Sequence, residues 1–241
     1  ERGLAILSRS DTLLVQQEVP QSATRKALEM AREAGARSIL NTAPFLPDTD
    51  KLAPLADIVV ANETEFSLLT GRPIEELDMA MQDWVNRTGR TIVVTLGPEG
   101  ARARTPDGPI TVAAHKIKPV DTVGAGDTFC GYLAAALEAG LELEEALCRA
   151  TVAGSLACLK SGAQPSIPSE ADVDEAMAGW AIVGRVIPVA FGVVFALSGA
   201  IGPILGQNYG AQRFDRLVTA LRDALVFVTV YCLATWLLLA L

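Results

Sequence analysis

Apolar and amphipathic stretches alternate along the first hundred residues of the chain. Four short apolar runs predict strands, and the segments between them have the three-to-four spacing of helices. The predicted strands are 13–17, 38–41, 57–61 and 91–96, and the predicted helices are 22–34, 63–69 and 74–87. The run 91–96 is β-branched and almost wholly apolar, which is typical of a strand buried on both faces of a sheet.

The pattern then changes to a hairpin and further helices. Residues 101–119 read as two strands joined by a turn at Pro106–Pro109, and helical spacing follows at 126–139, 143–159 and 169–177. Strands that alternate with helices predict an α/β fold with a mostly parallel, doubly wound sheet flanked by helices.

From Trp180 onwards the sequence becomes strongly apolar. Residues 180–205 carry one charge, Arg185, and residues 224–241 carry none. Each stretch is long enough to cross a hydrocarbon core of about 30 Å at about 1.5 Å per residue. The sequence predicts a hydrophobic two-helix hairpin, with residues 206–216 as the connection between the helices.

Charge divides the chain at the same place. The net charge is −8 overall, but residues 180–241 hold four Arg and two Asp, so the first 179 residues carry −10. This break predicts two unrelated domains, 1–178 and 180–241. The acidic first part argues against DNA or RNA as a partner, because phosphate backbones require a basic face.

The numbers and spacing of Cys and His bear on whether the chain holds a zinc site or disulfides. The four Cys form no CxxC pair and the chain has a single His, His115. This composition argues against a zinc site or a disulfide framework and favours free thiols in a reducing compartment. His115 lies on the predicted hairpin, where a structural or exposed role is expected.

The strongest candidate for chemistry is the segment Asp-Thr-Val-Gly-Ala-Gly-Asp-Thr-Phe at 121–129. Gly124 and Gly126 permit a tight turn and close approach of a ligand. Because a helix is predicted to start there, its free N–H groups would attract an anion. Asp127 could accept a proton from an attacking hydroxyl group. The alternative is a capped helix start without chemistry.

This nonamer resembles the signature of the ribokinase (PfkB) family of sugar kinases. Four more segments resemble blocks of that family in the same order along the chain. They are Asn41-Thr42-Ala43-Pro44 for its NPAP segment, residues 59–65 for its NxxE block, Thr95–Gly100 for its nucleotide loop and Gly162–Ser166 for a segment typical of ribokinases.

The resemblance implies a role for each matching residue. Asp127 would be the catalytic base, and the N–H groups of Gly124, Ala125 and Gly126 would stabilise the transferring phosphoryl group. ATP would be held by Asn62, Thr95, Leu96, Gly97, Pro98, Glu99, Gly100, Gly126 and Thr151. Glu65 would order Mg²⁺ through water, Glu18 and Asp127 would contact the sugar, and a monovalent cation, K⁺, would be bound by Asp121, Val123, Ala157, Lys160, Gly162 and Ser166.

Several of these residues have simpler explanations. Glu18 could be a solvated strand end, and Asn62 is also a good helix N-cap. Asp121 could pin a turn, and Ser166 could shape the loop before Ile167-Pro168.

The chain also departs from the family. It begins at Glu1 and lacks the family's N-terminal portion, which carries sugar-binding residues and most of the lid. We therefore expect uncovered sheet edges, weak sugar binding, little turnover and no dimer. Ribose is the expected sugar because of residues 162–166; fructose, 2-keto-3-deoxygluconate and nucleosides stay open. A non-catalytic nucleotide-binding remnant is the alternative.

The apolar tail resembles a helix–loop–helix segment of a MATE-type multidrug transporter, most specifically at residues 206–211. A plain hydrophobic hairpin is the alternative, and a transporter fragment is a further candidate function. The kinase part is expected in the cytoplasm, with membrane association through 180–241. Arg213 and Arg216 favour a cytoplasmic inter-helix loop, which would place the kinase outside, away from ATP. This conflict favours a join of two gene fragments near residues 177–180.

Overall fold

A computed structural model describes residues 7–239, without the side chains of residues 180–190 and 238–239. The strands are β1 Thr12–Val15, β2 Arg37–Asn41, β3 Ile58–Asn62, β4 Thr91–Thr95, β5 Ala101–Thr105 and β6 Gly108–Val112. The helices are α1 Gln21–Ala34, α2 Thr49–Leu52, α3 Glu63–Thr70, α4 Leu77–Thr88, α5 Ala125–Glu138, α6 Leu143–Ala157, α7 Glu170–Gly210 and α8 Phe214–Leu239.

The six strands form one sheet in the order β1-β2-β3-β4-β5-β6. β1 to β4 run parallel, and β5 and β6 add an antiparallel hairpin to the β4 side. The predicted α/β fold with a mostly parallel sheet is confirmed. β1 is an edge strand among the described residues, and its Leu14 is 37% exposed.

Alternate strand residues face opposite sides of the sheet, and each side carries its own core. Leu40, Val59 and Ile92 pack on one face with residues of α1, α3 and α4. Ile39, Val60 and Val93 pack on the other face with residues of α5 and α6. Because both faces are covered, the parallel strands read as continuous apolar runs in the sequence.

The chain divides into two compact units, Glu1–Ala176 and Met177–Leu241. The prediction of a short helix at 169–177, separate from the apolar tail, is wrong, because one helix, α7, runs through both segments. Gly179 is the only helix-weakening residue at the predicted break, and an interior Gly costs only about 1 kcal/mol. The separate functions of the two predicted domains stay a prediction.

The second unit contains the end of α7 and all of α8. Their apolar stretches Phe191–Gly210 and Phe214–Leu237 have 20 and 24 residues, and they are long and apolar enough to cross a membrane. The predicted connection 206–216 is shorter in the structure, since α7 continues to Gly210 and α8 begins at Phe214. Asn208 is accommodated on the helix because its side-chain amide donates to the carbonyl of Ile204 at 2.8 Å.

Candidate functional site

The carboxyl ends of β1 to β4 meet at one edge of the sheet, where open α/β folds bind ligands. The ends of these strands and the segments that follow them contain part of the residues singled out from the sequence. Gln16 follows β1, Thr42 follows β2, Asn62 ends β3, and Thr95 ends β4, with residues 96–100 after it. The parallel pairing of β1 to β4 places these segments side by side. Helix α5 packs against β1 and α6, which brings its first turn to the same edge.

Gly124 forms the N-cap of α5 and has φ 77°, a left-handed conformation that favours glycine. A Cβ atom at this position would lie 3.0 Å from the Cα atom of Ala163, so a side chain would also crowd the 162–166 loop. The amide of Thr128 donates to the Gly124 carbonyl at 2.9 Å, and Ala125 donates to Thr122 at 3.3 Å. The helix therefore starts where the sequence predicted, with Gly126 and Asp127 in its first turn.

Asp127 is exposed in a cavity of about 310 Å³ whose other lining residues are Leu14, Val15, Gln16 and Cys130. Burial, followed by the negative charges of Asp127 and Glu65, raises the pKa of the Cys130 thiol to about 12. Both carboxylates thus lie near the same thiol, which stays protonated. Sequence reasoning missed Leu14, Gln16 and Cys130, since no motif links an edge strand to a distant helix.

A second cavity, of about 500 Å³, also includes the α5 N-terminus, since Ala125 and Gly126 line it. Its lining combines the loop after β4, the segment after β6, and parts of α5 and α6. The lining residues are Thr95, Gly97, Pro98, Gly100, Ala114, His115, Lys116, Ile117, Pro119, Thr122, Ala125, Gly126, Phe129, Thr151, Gly154, Ser155 and Cys158.

Thr151 is the most informative residue of this second cavity. It is 5% exposed, and its hydroxyl has no hydrogen-bond partner in the described part of the chain. A buried hydroxyl without a partner is costly, so a polar ligand group in the cavity would satisfy it. Leu96 is buried and Glu99 is exposed, and neither lines this cavity.

His115 also lines the second cavity, although a structural or exposed role was expected from the sequence. It lies just beyond β6 and is half-buried. Burial lowers the pKa of its imidazole, which favours the neutral form near neutral pH. Only the path of the chain after the hairpin brings this side chain to the cavity.

Asn62 and Glu65 form a capping box at the start of α3. The Asn62 side chain accepts the Glu65 amide at 2.8 Å, and Glu65 Oε2 accepts the Asn62 amide at 3.1 Å. The simpler explanation of Asn62, a helix N-cap, is therefore realised. Glu65 Oε2 also accepts the Thr42 hydroxyl at 2.8 Å.

The segment before α5 and the loop after α6 are tied together by Asp121. Its Oδ2 accepts the Gly162 amide at 3.0 Å, and its Oδ1 accepts the Val123 amide at 3.0 Å. These two bonds hold the pKa of the Asp121 carboxyl below its ordinary value. Ser166 is buried and donates to the Ala163 carbonyl at 2.9 Å. Most residues of the expected cation site thus lie in two joined segments.

Glu18, like Leu96 and Glu99, is a predicted site residue that lies outside the lining of its expected cavity. It is exposed in the turn after β1 and does not line the Asp127 cavity, whereas its neighbour Gln16 does. The described residues contain no group of three His, Cys, Asp or Glu side chains that could hold a metal ion. A cation here would therefore depend on single carboxylates, carbonyl oxygens and phosphate groups.

Comparison with curated proteins shows several sugar kinases as relatives. The chain is 32% identical to Haemophilus influenzae ribokinase over 174 residues, which are 71% of this chain and 57% of that protein. It is 35% identical to Staphylococcus aureus ribokinase over 171 residues, which are 69% of this chain and 56% of that protein. The chain thus spans about half the length of these relatives.

Solved structures show the same likeness. Arabidopsis thaliana ribokinase, complexed with ribose and ATP, has a TM-score of 0.64 and 33% identity, covering 68% of this chain and 55% of that one. Thermotoga maritima ribokinase has a TM-score of 0.64 and 27% identity, covering 73% and 61%.

Two families match consecutive parts of the chain. Residues 173–241 match the MatE family. Residues 4–170, which are more than half of the chain, match the family described as pfkB family carbohydrate kinase. This chain therefore belongs to the pfkB family of carbohydrate kinases.

Proposed function

We propose that this chain transfers a phosphoryl group from ATP to a hydroxyl group of a sugar. The observation that carries the proposal is the position of two consecutive residues in the first turn of α5. Gly126 lines the cavity of about 500 Å³, and Asp127 lines the cavity of about 310 Å³. A donor in the first cavity and an acceptor in the second would meet at the helix N-terminus.

Asp127 is the proposed catalytic base. Its carboxylate is exposed to the smaller cavity, where a sugar hydroxyl could reach it and lose a proton as it attacks the phosphoryl group. The first amides of α5 lack intrahelical acceptors and carry the positive end of the helix dipole. They would stabilise the charge on the transferring group, which is the main task in phosphoryl transfer.

The larger cavity is the proposed nucleotide site. Thr95, Gly97, Pro98 and Gly100 form one wall, and Thr151 presents its unsatisfied hydroxyl from α6. Much of the lining is apolar or backbone, which suits a nucleobase and ribose with few specific polar contacts. Buried Leu96 would support this wall from behind, and exposed Glu99 lies outside the cavity lining.

Magnesium is the proposed metal partner of ATP, and the residues present fit it. Glu65 has one carboxylate oxygen, Oε2, engaged by protein donors, while Oε1 has no hydrogen bond within the described residues. Mg²⁺ commonly uses one or two carboxylates, water and substrate phosphates. When bound, it would neutralise charge on the phosphates. Glu65 would hold the water shell of the ion from the α3 N-terminus.

A monovalent cation, K⁺, is proposed beside the α5 start. The charged carboxylate of Asp121, the Ser166 hydroxyl and nearby carbonyls of residues 123, 157, 160 and 162 are hard oxygen donors, which suit such an ion. The cation would support the loop that shapes the helix N-terminus. The lowered pKa of Asp121 extends the pH range of its negative charge further into acid.

D-Ribose is the proposed sugar. Ribokinases are prominent among the relatives, and the chain carries the ribokinase-like segment 162–166. A deoxyribokinase of Salmonella typhi and a fructokinase of Oryza sativa are also relatives, at 32% and 35% identity, so other sugars belong in the test. Glu18 is proposed to contact the sugar on the open side of the Asp127 cavity.

The test is ATP-dependent phosphorylation of D-ribose, 2-deoxyribose and fructose by the purified chain, with Mg²⁺ and with K⁺ or Na⁺. Asp127→Asn should reduce the rate by about 10²- to 10⁴-fold while ADP binding persists. The matched control is Asp78→Asn, which removes an exposed carboxylate from the first turn of α4. ADP binding without transfer to any sugar would favour a nucleotide-binding remnant instead.

A second proposal concerns the apolar unit. The stretches Phe191–Gly210 and Phe214–Leu237 contain no residue buried within the described structure. Helices that are apolar and unburied in water require another apolar environment. We therefore propose that this unit associates with lipid membranes.

A further inference from the structure

Thr42 occupies a buried position directly after β2. Its side chain is 0% exposed, and its amide donates to the Val60 carbonyl at 2.9 Å, which anchors its backbone to β3. Its hydroxyl lies 2.8 Å from Glu65 Oε2 and 3.3 Å from the Val60 carbonyl. A hydroxyl has one proton, and the shorter contact to a charged acceptor is the stronger bond. The Thr42 hydroxyl therefore donates its hydrogen bond to Glu65 Oε2.

The same carboxylate oxygen receives a second donor. The amide of Asn62 reaches Glu65 Oε2 at 3.1 Å, and Asn62 in turn accepts the Glu65 amide. Two donors on Oε2, one from β3 and one from the segment after β2, set the rotation of the carboxylate. Oε1 is left without a hydrogen bond within the described residues.

Gln17 holds the segment that contains Thr42 in place through hydrogen bonds. Its side chain is 1% exposed, and its amide nitrogen Nε2 donates to the Thr42 carbonyl at 3.2 Å and to Thr49 Oγ1 at 2.8 Å. The backbone amide of Gln17 also donates to the Ala43 carbonyl at 3.1 Å. The position of the Thr42 hydroxyl is therefore determined by three segments of the chain, which makes it a rigid support.

We infer that Thr42 is a positioning residue for Glu65. Its hydroxyl holds Oε2 so that Oε1 stays available to the water shell of a magnesium ion on the nucleotide phosphates. The NPAP pattern that residues 41–44 resemble has proline here, which offers no hydroxyl, so this support depends on the Thr of this chain. The inference rests on the proposed nucleotide and magnesium sites.

The test compares Thr42→Val, which keeps the shape and removes the hydroxyl, with Thr42→Ser, which keeps the hydroxyl. Dissociation constants for ADP are measured by calorimetry on the full chain with saturating Mg²⁺ and with EDTA. In EDTA, Thr42→Val should bind ADP like the wild type. With Mg²⁺, its gain in ADP affinity should be about tenfold smaller than that of the wild type, because mutation of a residue that orients a metal ligand costs about 10- to 100-fold in metal affinity. Thr42→Ser should retain that gain.

Thr70→Val is the matched control. Thr70 lies at the other end of α3, and its hydroxyl donates to the Phe66 carbonyl at 2.9 Å. This variant removes a hydroxyl from the same helix and should leave ADP affinity unchanged in both conditions. Circular dichroism and the thermal midpoint of each variant report whether it is folded.

The outcomes separate the inference from the proposed function. A Thr42→Val variant that keeps the full Mg²⁺-dependent gain, or that loses ADP affinity equally in EDTA, would overturn the positioning role. A wild-type chain that binds no ADP, or binds it without any Mg²⁺ dependence, would overturn the proposed site and the inference with it. A selective loss in Thr42→Val, restored in Thr42→Ser, would establish the role.

Discussion

Asp121 Oδ2 accepts the amide of Gly162 at 3.0 Å, although the two residues are 41 positions apart. This bond joins the segment that leads into α5 to the loop that follows α6. The same carboxylate also accepts the Val123 amide, so one side chain organises both sides of the proposed cation site.

Stability should depend on pH through Asp121. The pKa of this carboxyl is lowered by the Gly162 amide first and the Val123 amide second. A lowered folded-state pKa stabilises the fold above the unfolded value of 3.8, and this contribution disappears as pH falls through the folded value. Asp121→Asn should therefore lower the urea midpoint near neutral pH, and the difference should shrink in acid.

Asp172→Asn is the control for this pH effect. The Asp172 carboxylate accepts the Ser169 amide at 2.9 Å, and its pKa is also lowered, chiefly by the Ser169 hydroxyl. It should show the same direction of pH dependence without any change in K⁺-dependent sugar phosphorylation. Equal urea midpoints for Asp121→Asn and the wild type near neutral pH would contradict the prediction.

Gly124→Ala should destabilise the α5 start for two reasons. The left-handed φ of 77° costs a non-glycine residue about 1–2 kcal/mol, and the new methyl would crowd Ala163. Gly140→Ala is the matched control, because Gly140 has φ 86° but open space around its added Cβ atom. Chemical denaturation should show a larger loss for Gly124→Ala, and ADP affinity should fall only in that variant.

Thr151→Val should weaken nucleotide binding while it leaves the fold as stable or more stable. The variant removes a buried hydroxyl without a described partner, and one neutral hydrogen bond corresponds to roughly threefold to tenfold in affinity. Thr24→Val is the control, since Thr24 is another buried Thr with an unsatisfied hydroxyl, on α1. Calorimetric titration with ADP separates the two, and equal affinities would remove Thr151 from the nucleotide site.

Val230→Lys should weaken membrane association of the chain. Val230 is 61% exposed on α8 within the apolar stretch, and a charge in the centre of a membrane helix costs about 2.5–3.5 kcal/mol on insertion scales. Val19→Lys makes the same change at a 51% exposed Val of the kinase unit and should have no effect. Flotation with phospholipid vesicles measures both, and a wild-type chain that remains with the soluble fraction would contradict the proposal.

The order and type of the elements could be predicted from the sequence because they depend on local spacing. The alternating apolar runs of the first hundred residues predicted β1 to β4 and the helices α1, α3 and α4, whereas the one-turn helix α2 was not predicted. Asp127 could be proposed because its glycine-flanked motif is contiguous. The end of the short helix at 177 was predicted wrongly, since Gly179 alone does not stop α7.

The contacts that define the proposed site required the tertiary structure. The bond from Thr42 to Glu65 spans 23 residues and depends on β2 lying beside β3. The approach of Gln16 to Asp127 depends on α5 packing against β1, and the place of His115 depends on the chain path after β6.

The sequence by itself determined the α/β class, the family and the two apolar helices, because periodicity and motifs are properties of neighbouring residues. The tertiary structure alone decided which side chains share a cavity and which oxygen of Glu65 is engaged. Those relationships follow from strand order and from packing on the two faces of the sheet, which join residues that no local pattern connects.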